Sequence, residues 1–452
     1  MTHSVTVDRK ALVGAMAALK HAIPKRTTIP VCACIKLRAA GNELSLAATD
    51  LEVFGKVTLR RLAGEGDFIR VLPAAILSPL VKDGETTTVL IEAEEGFSAK
   101  VDGSLVVGFD PVDYPAVPED CPVQIFSITA GEFAEAVKET AFAKSTEVVR
   151  YALQGILLDA DPKKGLSLVA SDGKVLSWKK AGSVGIQKKA RAILLDKTAR
   201  AAQMVCETDP KANLEAFVKI EEKEVTQIQL RVGNVRLWAR PIDGHFPDYR
   251  AVVPDYKGGW TMGRKELLKA LTALKPVQTP KTQAVRFTLG DGKAKLFART
   301  QDIGERQVEL AAKGAGQLEI VLNPGYVEDF LKALPERCSR VTLLGTAKDK
   351  AALWRAVGVD GLNYVQMPLT VNLQPADVKT EIPVEDEAPK EVETKAAQDE
   401  TVPVPDETNP AAGETESAPA ETPAPAEETP AAPAAAEEEP IITLYGPDVE
   451  AA

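Results

Sequence analysis

The side chains that could do covalent chemistry are few, and their spacing does not serve it. The chain of 452 residues holds three histidines, His3, His21 and His245, and no two of them stand at metal-ligand spacing. HExxH and CxxC patterns are absent as well. There is no GxSxG nucleophile elbow, and neither GxGxxG nor GxxxxGK[ST] is present to cradle a nucleotide. Asp110 with Asp113, and Asp243 with Asp248, are near enough in sequence for paired acid–base work. Each pair sits among Pro and Tyr residues and reads more simply as a turn. Cys32 and Cys34 alternate within VCACIKL, which predicts two thiols on one face of a strand, packed in a core. Five cysteines are an odd and mostly scattered set, as expected of reduced thiols. No cofactor or metal is implied, and the chain reads as a binding protein rather than an enzyme. An enzyme acting on a phosphorylated substrate would use the basic residues described next, but would lack a nucleophile or a metal constellation.

The basic side chains carry more information. The formal net charge is −11, yet residues 372–452 hold 21 acids and 3 bases. The body before them is therefore net basic by 7. On a predicted helix over 264–275, Lys265, Lys269 and Thr272 share the face opposite a leucine stripe. Lys197 and Arg200 lie on a helix over 197–207. Lys10, Lys20, Lys82, Lys138, Lys144 and Lys332 lie on others. A solvated face explains any one of these. Six such helices in a basic body predict one concave wall that meets phosphates without reading bases.

The elements that would place those helices repeat. LSLAATDLEV at 44–53 returns as LSLVASDGKV at 166–175, 122 residues on. FDPVDYPAVP and HFPDYRAVVP set Tyr114 and Tyr249 at 135 residues' separation. A degraded third copy keeps Leu296 and Ala298. The periodicities predict an α+β chain of three tandem units, 1–122, 123–248 and 249–371, each with two amphipathic helices and about eight strands. Asp8, Thr129 with Glu132, and Asn323 with Pro324 supply helix starts. From 372 to 452 the composition turns to Pro, Ala and Glu and predicts a disordered acidic tail. Ile441–Tyr445, IITLY, is an apolar run within it. The opening MTHSVTVDRK has no apolar stretch, so no signal peptide is expected. No run of about 18 apolar residues predicts a membrane span. A soluble cytoplasmic protein is expected.

RTTIP, LSLAATDLEV, FDPVDYPAVPE, VRYALQG, ASDGKVL, DGHFPDYRAVVP and YVQMPL, in this order, resemble the bacterial β sliding clamp family, the processivity subunit of DNA polymerase III. The resemblance covers about residues 1–371. It implies three DNA-clamp domains and a head-to-tail homodimer, giving a six-domain ring around double-stranded DNA. By resemblance, Arg26 and Lys197 contact the duplex, and Arg200, Lys265 and Lys269 are added from the helix faces. The resemblance also implies a cleft between the second and third domains for a short Q-L-x-L-F-like peptide. Such peptides belong to the polymerase III catalytic subunit, the clamp loader and repair polymerases. The matching positions are Leu153, Ser171, Gly173, Lys174, Val175, Leu176, Pro247, Ala251, Val252, Val365, Met367, Pro368 and Leu369. The family's usual His-Arg pair is Lys174-Val175 here, and the second Arg of its D-Y-R-R is Ala251, which implies a more apolar cleft. A diverged paralogue serving repair rather than bulk replication is the alternative. IITLY resembles the clamp-binding peptide, with Leu444 and Tyr445 as anchors, and could compete for the cleft.

Overall fold

Each third of the chain starts with a strand that runs straight into a helix; a side chain caps that opening helix in the first two thirds, whereas in the last third the cap falls on the second helix and the first starts uncapped at Gly263. Asp8 accepts a hydrogen bond from the Ala11 amide at 2.7 Å, and Asn323 accepts one from Gly325 at 2.9 Å. Both satisfy amides that the first helical turn leaves without partners. Thr129 caps α3 through the Glu132 amide. The Glu132 carboxylate takes the Thr129 hydroxyl at 2.9 Å, so the capping box closes between side chains rather than onto the backbone. The computed structural model describes residues 3–371 and 373, apart from 183 and 280–282. Ile441–Tyr445 and all of the expected tail except Leu373 lie outside the described residues.

Six α-helices occur among these residues. They are α1 (Arg9–Leu19), α2 (Ala74–Lys82), α3 (Ala130–Ala141), α4 (Asp196–Thr208), α5 (Arg264–Leu274) and α6 (Pro324–Ala333). The predicted stripes are the buried faces: Leu12, Met16 and Leu19 on α1, Leu267, Leu271 and Leu274 on α5, and Val327, Phe330 and Leu331 on α6. Strands fall eight, nine and eight to the three thirds, close to the expected number.

The repeated element is a hairpin turn rather than one strand. Glu43–Thr49 and Val53–Arg60 pair around Asp50–Glu52; Gly165–Ser171 and Val175–Lys180 pair around Asp172–Lys174. Thr49 Oγ1 donates to the Val53 carbonyl at 3.0 Å and accepts from Leu51 N at 2.9 Å. Ser171 Oγ donates to the Val175 carbonyl at 2.7 Å and accepts from Gly173 N at 3.1 Å. Asp50 Oδ1 accepts from Glu52 N and Val53 N, as Asp172 Oδ1 does from Lys174 N and Val175 N. The hydroxyl-plus-carboxylate pair is conformational machinery. The central residue has φ of 76° at Leu51 and 86° at Gly173, and the glycine is the unstrained choice there.

Two joints sew the thirds together. Val53–Arg60 pairs antiparallel with Val235–Ala239, and Val175–Lys180 with Leu362–Gln366. In each case a hairpin strand of one third meets the last strand of the next. At the first joint a side chain at Gly55 would run into Leu19 Cδ2 at 2.6 Å and Leu237 Cδ2 at 3.5 Å. Glycine there lets α1 lie close on the sheet. The same two kinds of strand stand open at the ends of the series. Ser104–Val106, the last strand of the first third, is an edge strand. Gly304–Lys313 pairs fully with Lys293–Thr300 on one side. On the other side only Ala312 and Lys313 are paired, with Met262 and Thr261.

One expectation about the strands is corrected. Cys32 does not alternate with Cys34 along a strand. Pro30 starts a 3-10 turn over Pro30–Ala33, and the strand begins only at Cys34, because proline lacks the amide a strand ladder needs. Both thiols are still buried, with Val31, Val71 and Tyr114.

Candidate nucleic-acid and peptide interfaces

The helices touch in a single file. α2 packs on α1, α1 on α4, α4 on α3, α3 on α6 and α6 on α5. Each joint therefore brings the first helix of one third against the second helix of the next, and the file ends at α2 and α5. The basic residues singled out from sequence ride on this file. Lys265 and Lys269 are exposed on α5 and enter no ion pair among the described residues. Lys197, at the start of α4, meets Arg26 in one groove of about 550 Å³ with Thr27, Thr28, Ile29 and Leu51. The structure thus joins the two residues that the resemblance singled out, although 171 positions separate them. Lys197 is held by Asp50 and lies 3.6 Å from Glu52. Arg200 lies over Asp196, its Nε 3.0 and 2.9 Å from the two carboxylate oxygens. Lys275 and Lys332 share Glu328, at 2.8 and 3.2 Å.

The second joint carries the expected cleft. Leu153, Leu176 and Val365 belong to one apolar cluster with Leu157, Ile193, Ile242, Phe246 and Tyr249. Met367 and Val252 stand at the surface, each 48% exposed. Lys174, Pro247 and Ala251 are exposed too. The Met367 amide donates to the Lys174 carbonyl at 2.9 Å, which ties the third-unit strand to the turn. Ser171 and Gly173 serve the turn itself. Val175 is 3% exposed and packs in the main core, not in the cleft cluster. Leu369 leaves the cleft altogether. Its amide donates to the Val321 carbonyl at 2.8 Å, and it packs with Ala284, Phe297 and Leu373. Pro368 goes with it, in a groove beside Val321 and Leu373.

Several residues that hold the cleft were not singled out from sequence. Tyr249 Oη donates to Asp159 Oδ2 at 3.0 Å, and burial pushes its hydroxyl up to about 12. Tyr114 repeats this role with a bond to the Ala47 carbonyl at 3.1 Å, so the echo of the two tyrosines was the available signal. Tyr326 on α6 donates to Asp172 Oδ2 at 2.8 Å. Burial first, then this bond, raises its hydroxyl well above the usual tyrosine range. Arg150 donates to the Asp172 carbonyl and lies 3.4 Å from Glu147. Lys174 is 3.8 Å from the same Glu147. Lower on the joint, Arg337 makes a two-pronged contact with Glu135, which holds that carboxyl below its ordinary value. No sequence pattern marks Tyr326, because its partner is 154 residues away.

At both joints the turn aspartate is gripped by the second helix of the following third. Lys197 on α4 grips Asp50, and Tyr326 on α6 grips Asp172. Asp172→Ala removes two turn bonds and this grip together. It is expected to destabilise the body by about 1–3 kcal/mol. A lower urea midpoint at unchanged m-value checks this.

The described residues contain no group of three or more His, Cys, Asp or Glu that could hold a metal, and no described helix is long and apolar enough to cross a membrane. Comparison with known proteins agrees with the geometry. Residues 3–117 match the family described as DNA polymerase III beta subunit, N-terminal domain, and residues 127–248 match its central domain. A protein named Beta sliding clamp from Pseudomonas aeruginosa is 28% identical, over 80% of this chain and 99% of its own length. Its namesake from Vibrio cholerae is 26% identical, over 80% and 99%. Among solved structures, a DnaN sliding clamp from Pseudomonas aeruginosa bound to griselimycin superposes with a TM-score of 0.74 at 24% identity, covering 82% of this chain and all of the other. The Bacillus subtilis DNA polymerase sliding clamp superposes with a TM-score of 0.72 at 20% identity, over 82% and all of it.

Proposed function

Because the chain belongs to the bacterial β sliding clamp family, we propose that it encircles duplex DNA and tethers the replicative polymerase and other partners to it, without catalysis of its own. The observation that carries this is the open series of joints. Two joints inside the chain use one pattern, a hairpin strand against the last strand of the next third and a first helix against a second. The chain's two ends offer the missing halves of a third joint, Gly304–Lys313 with α5 and Ser104–Val106 with α2. A second copy placed head to tail completes that joint twice and closes a ring. The domain limits 1–122, 123–248 and 249–371 are part of this proposal, and each unit then holds one joint-forming last strand.

Closure makes tight binding unnecessary. A duplex inside a ring is retained topologically, so the protein gains from cations that touch phosphates briefly and let go. Arg26, Lys197, Arg200, Lys265 and Lys269 are assigned this role, and the setting is the cytoplasm, where the DNA is. The cleft at the second joint takes the short peptides of the polymerase III catalytic subunit, the clamp loader and repair polymerases. The experiment is retention. Loaded onto a nicked circle by the clamp loader, the protein is expected to stay bound through gel filtration at about 0.5 M salt and to leave once the circle is cut. Equal loss from cut and uncut circles overturns the proposal.

Lys265→Ala with Lys269→Ala tests the wall itself. Affinity for a short linear duplex is expected to fall about 3- to 10-fold, and the slope of log K against log salt to shrink by about 1–2. Anisotropy measured across a salt series checks both.

A further inference from the structure

The helix file that faces the DNA in this reading carries its own counter-anions. Of the cations assigned to it, Lys197 is held by Asp50 with Glu52 beside it, and Arg200 lies over both oxygens of Asp196. Lys144 reaches the same Asp196 at 3.8 Å. On α6 and at the end of α5, Glu328 serves two lysines at once. These carboxylates are placed with care. Asp50 is nearly buried and has its other oxygen committed to the turn; Glu328 is buried on α6 beside Pro324 and Leu331. A carboxylate within ion-pair distance competes directly with phosphate for the same ammonium or guanidinium. Phosphate must displace it, so the net gain on contact is the difference between two similar attractions. Lys265 and Lys269 carry no such brake.

We propose that Asp50, Glu52 and Asp196 are built-in phosphate competitors that set how weakly Lys197 and Arg200 hold DNA. This rests on the reading of the helix file as the DNA surface, and it names residues that regulate that surface rather than form it. It accounts for a wall that is basic in composition yet neutralised in place on α4, which weakens the hold of that stretch on a sliding duplex. It also couples DNA to the first joint. The cation that phosphate recruits is the one that grips the turn of the preceding third, so each contact briefly loosens that grip and is reversed when the grip re-forms.

The test uses the full chain carrying Asp50→Asn, Glu52→Gln and Asp196→Asn together. Asn at 50 keeps the Oδ1 acceptor that the turn needs while removing the charge. Binding to a short linear duplex is measured by anisotropy from about 50 to 300 mM KCl, beside Lys197→Ala with Arg200→Ala in the unaltered background. The triple variant is expected to bind about 3- to 10-fold more tightly, with a salt slope steeper by about 1–2, as one or two further phosphates are engaged. Combining the acid and base substitutions is expected to return affinity to that of the base variant alone. If the triple variant is dimeric and melts as the parent does but binds DNA with unchanged affinity and slope, while the base variant still weakens binding, the competitor role is overturned and the DNA surface stands. If the base variant also leaves binding unchanged, the DNA surface itself is wrong and this inference falls with it. Should the triple variant unfold, Glu52→Gln with Asp196→Asn is read in its place, against the same outcomes at about half the slope change.

Discussion

Chains carrying Ile76→Asp are expected to sediment as monomers at concentrations where the parent is a dimer, and so are chains carrying Ile303→Asp. A one-to-one mixture of the two is expected to recover a dimer. Ile76 is the third residue of α2, as Tyr326 is the third residue of α6. Tyr326 grips the turn of the preceding third inside the chain, so Ile76 is expected to face the matching turn of a second copy. That turn lies between Thr300 and Gly304, and its apolar residue is Ile303. Both isoleucines are half exposed in the single chain, at 50% and 52%, which no need of the chain's own core explains. Where the internal joints use a carboxylate with a lysine or a tyrosine, the joint between copies would use two aliphatic side chains. Each dimer contains that joint twice, so one substitution is felt twice. Losing about 1.5–3 kcal/mol of burial at each joint raises the dimer dissociation constant by about two to four decades. Burying a carboxylate adds to this.

The mixture tests the geometry itself. A head-to-tail joint pairs α2 of one copy with the turn of the other. An Ile76→Asp chain keeps a sound turn, and an Ile303→Asp chain keeps a sound α2. Together they form one native joint and one doubly damaged joint, hence an open dimer that does not stay on a circle. In an isologous dimer every copy of the interface would carry one damaged residue, and mixing would recover nothing. Sedimentation equilibrium on the two variants, separately and mixed, decides it. Unchanged melting of each variant would show that the folded chain is intact.

What could be read from sequence was whatever local chemistry enforces. The helices were legible because their leucine stripes and caps are written within four residues of one another. The turn aspartates were visible as a repeated pattern, but their meaning was not. LSLAATDLEV looks like one strand until the hydroxyl of Thr49 and the carboxylate of Asp50 are seen folding it back on itself. Cys32 alternates with Cys34 in sequence, but the 3-10 turn that Pro30 starts runs through Ala33 and holds Cys32 outside the strand. Val175 was assigned to the cleft by its position in a motif, and only strand register sends it to the core. The joints lay beyond sequence reasoning altogether. Val57 meets Val235 and Val175 meets Gln366 across the width of the chain, and no local pattern records a pairing at that distance.

The cleft yields the other large effect. Met367→Ala with Val252→Ala is expected to weaken a Q-L-x-L-F-type peptide by about 30- to 150-fold while leaving melting, dimer and duplex affinity unchanged. The two side chains come from opposite ends of the third unit's sequence, and both stand about half out of the surface. Their truncation opens no cavity in the free protein, yet removes the apolar walls that a bound anchor would cover. At about 1 to 1.5 kcal/mol each, the sum of about 2–3 kcal/mol corresponds to that range. Met367 is the better adapted of the two, because an unbranched thioether can re-pack around anchors of different shape. Its backbone is meanwhile fixed to Lys174. The floor beneath, Leu153, Leu176 and Val365 over Phe246 and Tyr249, is the surface that must stay rigid, and Tyr326 through Asp172 keeps its rim in register with α6. Lys174 then sets the charge of the mouth. With Val175 turned inward and Ala251 offering no donor, the exposed cations here are Lys174 and Arg150, both already near Glu147. Replica-polymerase and repair-polymerase peptides of equal anchor but different flanking charge are therefore expected to differ less than about 3-fold in affinity. Titration calorimetry on both peptides checks this. A replicative peptide that fails to bind while the repair peptide binds in the micromolar range would favour a clamp dedicated to repair.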